Sequence, residues 1–208
     1  MTLDLRSHWN SIYRTNEPHA FSWYQAEARL SLELIRRVAR DADSQILDVG
    51  GGASTLVDGL LVAGYTNVAV LDLSPAALDQ ARSRLGASAT RVRWIDADIL
   101  SAELLGQSVD VWHDRAVFHF LTDARDRQRY VAQARRAVRP GGHMLVATFA
   151  EDGPARCSGL EVVRYAPEAL HHEFGPDFRL LESAREIHIT PRGTPQAFTY
   201  CLCRFEPT

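Results

Sequence analysis

Apolar positions follow two alternating rhythms between residues 31 and 150 of this chain. Short apolar runs are typical of buried strands, whereas apolar residues that recur every three or four positions are typical of amphipathic helices. In SLELIRRVAR at 31–40, for example, Leu32, Ile35 and Val38 fall on one helical face. The pattern predicts helices at 31–40, 55–63, 75–85 and 124–138, a helical turn near 101–105, and strands at 45–49, 67–71, 91–95, 109–113 and 143–149.

This alternation of strands and helices indicates the fold class. Repeated strand–helix–strand units favour parallel strands with right-handed crossovers and helices on both faces of the sheet. After residue 150 the rhythm changes, and residues 177–189 and 197–205 read as two strands joined by the turn sequence TPRG. Two strands connected in this way form an antiparallel pair. We therefore predict an α/β fold with a doubly wound, Rossmann-like, mostly parallel sheet and an antiparallel C-terminal hairpin at one edge.

The composition is that of one globular domain. The chain has 208 residues, of which 46% are hydrophobic and 24% charged. A chain of this length forms a full core, and two independent cores would be small. We expect a single domain over 1–208, with an aromatic N-terminal segment (1–30), a ligand-binding core (45–150), and a substrate-side loop with the C-terminal hairpin (151–208).

Charge, hydropathy and cysteine usage limit the partners. A formal net charge of -3 with scattered arginines argues against a nucleic-acid-binding surface. The N-terminus has no apolar signal segment, and no run approaches the roughly 18 apolar residues of a membrane span. These features predict a cytoplasmic protein without a membrane or nucleic-acid partner, and they leave its oligomeric state open. We expect free thiols and no metal at Cys157, Cys201 and Cys203, because no second ligand pair has zinc-like spacing.

A glycine-rich loop, ILDVGGGAS at 46–54, follows the first predicted strand. In open α/β sheets ligands bind beyond the carboxyl ends of the strands, and glycines at 50 and 52 allow a ligand to approach the backbone closely. A phosphate-binding P-loop is excluded because the loop has no lysine. A dinucleotide fingerprint is disfavoured because Thr55 stands where its last glycine is required. A simple tight turn remains an alternative for the loop taken alone.

Carboxylates close the next three strands as well. Asp72 ends the second strand, Asp96 and Asp98 follow the third, and Asp114 ends the fourth. Each of these side chains is also typical of a helix N-cap. A carboxylate at the end of the second strand is suited to bind both hydroxyls of a ribose. Four such positions together with the glycine loop favour a nucleoside with an amino-acid end and no phosphate, and S-adenosylmethionine has these parts.

With these motifs the sequence resembles the class I S-adenosylmethionine-dependent methyltransferases over about residues 5–150. The resemblance is carried by ILDVGGGAS, VAVLDLSPAAL, VRWIDADIL, VDVWHDRAVFHFL and RPGGHMLVATF. It implies a seven-stranded sheet with an antiparallel last strand and S-adenosyl-L-methionine as cofactor. By position it also implies the contacts of each part of the cofactor. The methionine moiety would be bound by Gly50, Gly51 and Gly52 with support from Asp48, and the ribose by Asp72 with Leu73 beside the adenine. The adenine would be bound by Asp98 with Ala97 and Ile99, and the residues below the sulfonium would be His113, Asp114 and Arg115.

Local patterns in the sequence are similar to those of particular subgroups of this family. The loop ends in Ser54 where the common motif has glycine, and this GxGxS form is similar to that of seven-strand lysine methyltransferases acting on elongation factor 1A and citrate synthase. Trp9 with Tyr13, and Trp23 with Tyr24, match the W-x-x-x-Y and W-Y of the same subgroup. The DRA at 114–116 loosely resembles the D-[KR]-G found there and in thiopurine methyltransferases, with alanine in place of the glycine.

These observations predict an enzyme that transfers a methyl group by in-line displacement. We expect a small-molecule acceptor, because the chain has no extra domain or charged platform for a large one; a protein lysine is the alternative. Trp9, Tyr13 and Trp23 are predicted to cover the cofactor, although a helix packed on the sheet edge would explain them equally well. The candidate catalytic residues are His113, Asp114 and His119, and His119 is equally consistent with a packed core residue.

Overall fold

Nine strands are present in the computed structural model, which describes residues 4–207. The strands are β1 (Gln45–Val49), β2 (Asn67–Asp72), β3 (Val92–Asp96), β4 (Val109–Arg115), β5 (Val138–Phe149), β6 (Arg156–Cys157), β7 (Leu160–Glu161), β8 (Phe178–Ile189) and β9 (Pro195–Phe205). Seven of them form one sheet in the order β3-β2-β1-β4-β5-β9-β8, and β6 pairs with β7 in a separate small hairpin. Strands β1 to β5 are parallel, whereas β9 runs antiparallel to both β5 and β8.

Helices cover both faces of this sheet. They are α1 (Leu5–Thr15), α2 (Arg29–Val38), α3 (Leu56–Val62), α4 (Pro75–Leu85), α5 (Ala124–Ala137) and α6 (Pro167–Phe174). Side chains alternate between the faces of a strand. Leu47 and Val49 of β1 therefore pack with α5 and α6, whereas Ile46 packs with α2 and α3. The predicted fold is confirmed, including the seven-stranded sheet and its antiparallel C-terminal pair.

Most predicted elements lie within a few residues of the observed ones. Helix α4 has the predicted bounds, because Ser74 accepts a hydrogen bond from the backbone of Ala77 and Pro75 occupies the first helical turn. Strand β5 begins five residues earlier than predicted. The chain passes directly from α5 at Ala137 into β5 at Val138, and an irregular pairing between β4 and β5 accommodates Pro140.

The helical turn predicted near 101–105 was wrong. Residues 102–105, which lie in the described part of the chain, have no regular secondary structure. The carboxylate of Asp98 accepts a hydrogen bond from the backbone of Leu100 at 2.9 Å. Such a local side-chain bond offers the backbone an alternative to a helix. Ile99 and Ala102 are buried, so the segment is anchored by packing without helical hydrogen bonds.

Helix α1 was predicted only as an alternative explanation of the N-terminal aromatic residues, and helix α6 was not predicted. Helix α1 begins after Asp4, whose carboxylate accepts hydrogen bonds from the backbone of Arg6 and Ser7. Helix α6 lies beyond the loop that follows β5. Residues 1–3 and 208 of the predicted 1–208 domain lie outside the described residues.

Candidate active site

A cavity of about 140 Å³, partly open to solvent, lies at the carboxyl ends of β1, β2, β3 and β4. These strands are parallel and in register, so residues that follow each strand meet at one edge of the sheet. The cavity also reaches α1, the segment after β4 and the β6–β7 hairpin. Its lining comprises Leu5, Trp9, Tyr13, Trp23, Val49, Gly50, Leu71, Asp72, Leu73, Ala97, Asp98, Ile99, Leu100, Arg115, Ala116, Val117, Phe120, Leu121 and Cys157.

The glycine loop after β1 fits closely against its neighbours. Gly50 has φ +65° and Gly52 has φ +25°, which are backbone conformations that favour glycine. A Cβ at Gly50 would overlap the side chain of Val117, and one at Gly52 would lie 2.5 Å from Asp72 Oδ2. Only glycine therefore allows the loop to turn at this distance from β2 and from the segment after β4.

Asp72 is a buried carboxylate at the cavity wall. Its Oδ1 accepts a hydrogen bond from the backbone of Ser74 at 2.8 Å. Burial raises the pKa of Asp72 from 3.8 to about 7, although backbone hydrogen bonds from Ser74 and Gly52 oppose that effect. A buried carboxylate of this kind is suited to accept hydrogen bonds from neutral hydroxyl groups.

Aromatic side chains close the cavity from the N-terminal side. The Trp9 ring makes edge contacts with Trp23 and Phe120, at centroid distances of 5.9 and 5.2 Å. Phe21 stacks on Trp23 at 4.8 Å. Helix α1 is held over α4 partly by Gln80, whose amide donates to the carbonyl oxygen of Tyr13 at 2.6 Å. Of the predicted aromatic cover, Trp9 and Tyr13 lie on helix α1 and Trp23 lies in the loop that follows it, and all three both pack against other aromatic rings and line the cavity.

The four strands whose ends form the cavity, β1 to β4, lie in the part of the chain that matches a known family. Residues 46–142 match the family described as a methyltransferase domain. The fold is also that of solved methyltransferases. One of them is the 1,6-didemethyltoxoflavin-N1-methyltransferase of Burkholderia thailandensis, whose structure holds 1,6-didemethyltoxoflavin and S-adenosylhomocysteine. It is 20% identical with a TM-score of 0.70, and the match covers 98% of this chain and 88% of that one. Residues 46–142 thus match a methyltransferase domain, and the fold of the chain is that of solved S-adenosylmethionine-dependent methyltransferases.

Curated proteins that this chain resembles are named for different acceptors. The eEF1A lysine and N-terminal methyltransferase of Bos taurus is 23% identical over 210 residues, which cover 96% of this chain and 28% of that protein. The ubiquinone/menaquinone biosynthesis C-methyltransferase UbiE of Roseobacter denitrificans is 28% identical over 117 residues, covering 55% of this chain and 46% of that protein. The chain thus spans less than half the length of either relative.

The predicted cofactor, S-adenosyl-L-methionine, is confirmed by the methyltransferase-domain match and by solved neighbours that hold S-adenosylhomocysteine, and the residues of this chain fit it. The glycine loop leaves a cradle that a Cβ at Gly50 would disturb, and Asp72 presents a carboxylate to the same cavity. Nine of the residues predicted to bind the cofactor line the cavity: Gly50, Asp72, Leu73, Ala97, Asp98, Ile99, Trp9, Tyr13 and Trp23. Four others, Asp48, Gly51, Gly52 and His113, are not part of the lining of this cavity.

His113 does not face the cavity, contrary to the expectation for a catalytic residue. Its side chain is buried, with Nδ1 2.7 Å from Asp48 Oδ1 and Nε2 2.9 Å from Ser31 Oγ. Both ring nitrogens therefore have partners inside the protein. The second carboxylate oxygen of Asp48 is buried without a hydrogen-bond partner among the described residues, and the side chain lies directly below Gly51. The pair supports the glycine loop from beneath.

Asp114 is also directed into the protein and not into the cavity. Its carboxylate accepts hydrogen bonds from the backbone of Val117 and Phe118 and, at 2.6 Å, from the hydroxyl of Tyr130. Burial raises the pKa of Asp114 to about 6. Ala116, between Asp114 and the two backbone donors, has φ +75°. Asp114 thus stabilises the turn after β4, and this turn lines the cavity.

The third predicted catalytic residue, His119, is fully buried and does not line the cavity. Its Nδ1 accepts a hydrogen bond from the backbone of Phe149 at 3.3 Å. Burial lowers the pKa of His119 to about 3, and the nearby Arg115 contributes in the same direction. The packed-core interpretation of this histidine therefore agrees with its surroundings.

Several lining residues were not among the predicted site residues. Val117, Phe120 and Leu121 follow β4, and their apolar character gave no chemical signal. Cys157 lies in the short β6–β7 hairpin, where burial raises the pKa of its thiol. Arg115 was implied only by the resemblance, as a neighbour of Asp114.

No helix among residues 4–207 is long and apolar enough to cross a membrane. The same residues contain no group of three or more histidine, cysteine, aspartate or glutamate side chains arranged to hold a metal ion.

Proposed function

We propose that this protein transfers the methyl group of S-adenosylmethionine to a small-molecule acceptor by in-line displacement. The observation that carries the proposal is the shape of the cavity. Beyond the nucleoside contacts, it continues into an acceptor half covered by Trp9 and Trp23 and lined by Arg115, Ala116, Val117, Phe120, Leu121 and Cys157. Mostly apolar clefts with a few polar groups are typical of small-ligand sites.

The cofactor supplies an electrophilic methyl group on a sulfonium. The acceptor atom forms a bond to this carbon while the carbon–sulfur bond breaks and its electron pair remains on sulfur. We expect the chain to contribute orientation and the exclusion of water. Trp9, Trp23 and Phe120 provide aromatic faces, which are favourable surroundings for a cation.

The acceptor half offers no obvious general base. Tyr13 and Cys157 line the cavity, but burial raises the pKa of both groups, well above 10 for Tyr13. His113 and His119 lie outside the lining. We therefore propose that the acceptor atom arrives without an excess proton, or loses it to solvent, and that the reaction does not rest on the three residues first predicted as catalytic.

A protein lysine is the second candidate acceptor. It is supported by similarity to the eEF1A lysine and N-terminal methyltransferase over 96% of this chain, and by the GxGxS loop. Against it, a protonated lysine entering the acceptor half would meet the cation of Arg115. Ser54, the distinctive residue of that loop, has a local explanation as well, since its hydroxyl accepts a hydrogen bond from the backbone of Leu56.

The two candidates are separated by supplying methyl-labelled S-adenosylmethionine to the purified protein with a dialysed protein fraction or with a metabolite extract. We expect label in the small-molecule fraction, and none when Asp72→Ala replaces the wild type. The chain itself contains no lysine, so methyl-lysine found in the protein fraction cannot come from self-methylation. Label that appears only on protein lysines would refute the small-molecule proposal.

A further inference from the structure

Arg115, the last residue of β4, lies where two cavities meet. Besides the main cavity it lines a smaller one of about 40 Å³, together with Tyr24, Gln25 and Ser54. Gly50, Tyr13 and Trp23 are also shared by both cavities. The guanidinium is thus placed beside the glycine loop and beside the acceptor half, although its side chain is only 9% exposed.

A polar network from the C-terminal hairpin fixes the orientation of this guanidinium. Arg115 Nε donates to the hydroxyl of Tyr200 at 3.1 Å, and its terminal nitrogens donate to the carbonyl oxygen of Trp23 and to Glu186 Oε2, each at 3.3 Å. Glu186 also accepts from Tyr200 at 2.8 Å and from Gln25 at 2.9 Å. Phe198 covers one face of the guanidinium, with its ring centroid 4.1 Å from Cζ.

This network leaves hydrogen-bonding capacity unused. An arginine has five N–H donors, and three of them have partners among residues 4–207. One N–H on each terminal nitrogen remains without a partner among residues 4–207, and these two groups are available to a ligand carboxylate. Glu186 accepts one hydrogen bond from Arg115, at Oε2, so it does not occupy the two remaining N–H groups of the guanidinium.

We propose that Arg115 is a carboxylate-binding residue of the active site and that Glu186 and Tyr200 position it. The proposal rests on the proposed function. Two ligands bring the required chemistry: the methionine carboxylate of the cofactor, reached through the smaller cavity, and a carboxylate on the acceptor, reached through the acceptor half. A planar guanidinium can donate two hydrogen bonds to either carboxylate, whereas the ammonium group of a lysine would not offer the same pair of donors.

Calorimetric titrations of the purified protein test the proposal and separate the two sources. The probes are S-adenosylhomocysteine, 5′-methylthioadenosine, which lacks the amino-acid end, and benzoate added to protein saturated with S-adenosylhomocysteine. We expect Arg115→Met to weaken a carboxylate contact by roughly ten- to hundredfold while 5′-methylthioadenosine binds as in the wild type. Weaker S-adenosylhomocysteine binding assigns the cofactor carboxylate, and loss of benzoate binding alone assigns the acceptor.

Two further variants keep the result interpretable. Arg115→Lys retains a cation next to Glu186 but lacks the fork, and it is expected to fold and still to bind the carboxylate probe less tightly. Arg179→Met is the matched control, because it removes an exposed arginine paired with Glu206 at the opposite end of β8.

The proposal is overturned if S-adenosylhomocysteine binding and benzoate binding show no dependence on Arg115, or if 5′-methylthioadenosine is weakened as strongly as S-adenosylhomocysteine. Failure of the wild type itself to bind S-adenosylhomocysteine would instead contradict the proposed function.

Discussion

His113 Nδ1 lies 2.7 Å from Asp48 Oδ1, and both side chains are buried beneath the glycine loop. The two residues are direct neighbours in the parallel pairing of β1 with β4. A buried charge without its partner is strongly destabilising, because the protein interior solvates it poorly. The contact therefore makes His113 a structural partner of Asp48.

Replacing His113 by leucine should leave Asp48 buried and unpaired, at a cost of about 3–5 kcal/mol in the free energy of unfolding. Adding Asp48→Asn to the His113→Leu variant should recover part of this loss, because the unpaired buried carboxylate is removed. Urea denaturation of the two single variants and the double variant measures the coupling. Ser31→Ala, which removes only the bond to Nε2, should cost about 1 kcal/mol. A His113→Leu protein with wild-type stability but no turnover would point to a catalytic role instead.

Asp72 makes the stability of the unliganded protein depend on pH. Its folded pKa is about 7 against an ordinary value of 3.8. Between these values the folded protein retains a proton that the unfolded chain releases, so this carboxylate lowers stability progressively as the pH rises from about 4 to about 7.

Asp72→Asn should therefore raise the Tm of the unliganded protein at pH 8, with a smaller gain at pH 5. It should also weaken S-adenosylhomocysteine binding, because an uncharged amide is a poorer acceptor for hydroxyl groups. Thermal scans at several pH values check the first effect and calorimetry the second. Asp79→Asn, an exposed substitution, is the control. An equal change in Tm at pH 5 and pH 8 would show that Asp72 does not titrate as described.

His119 should influence acid stability more than turnover. Burial lowers its pKa from 6.5 to about 3, so the unfolded chain binds a proton between these pH values while the folded protein does not. Its contribution to stability is consequently lost as the pH falls below about 6.5. We expect His119→Asn to be less stable at pH 7 but to lose less Tm on going to pH 4.5. Its rate profile between pH 6 and 9 should match the wild type, and a displaced profile would restore His119 as a catalytic candidate.

Gly50→Ala should abolish cofactor binding. The new Cβ combines a left-handed backbone, φ +65°, with an overlap against Val117. Backbone strain of this kind costs about 1–3 kcal/mol. Gly64→Ala is a matched control, because Gly64 has φ +92° but open space around its Cα. Both variants should show a lower Tm, whereas only Gly50→Ala should fail to bind S-adenosylhomocysteine in calorimetry. Equal binding by the two variants would contradict the close fit of the loop.

The order and type of the main elements were predictable because they depend on local information. The α4 boundary at Ser74 and Pro75 follows from a cap and a fixed φ, both of which act within one turn. The alternation of strands and helices requires parallel pairing, and parallel pairing brings Gly50, Asp72 and Asp98 to one edge whatever the remaining details.

Side-chain direction at the end of β4 was decided only by tertiary structure. The sequence places His113, Asp114 and Arg115 consecutively. It does not show that His113 forms hydrogen bonds with Asp48 and Ser31, or that Asp114 accepts one from Tyr130. Arg115 alone of the three lines the cavity. Cys157 enters from a hairpin far away in sequence, without any periodic signal. Local pattern determines which residues form an element, whereas the partners on other strands and helices determine which side chains reach the site.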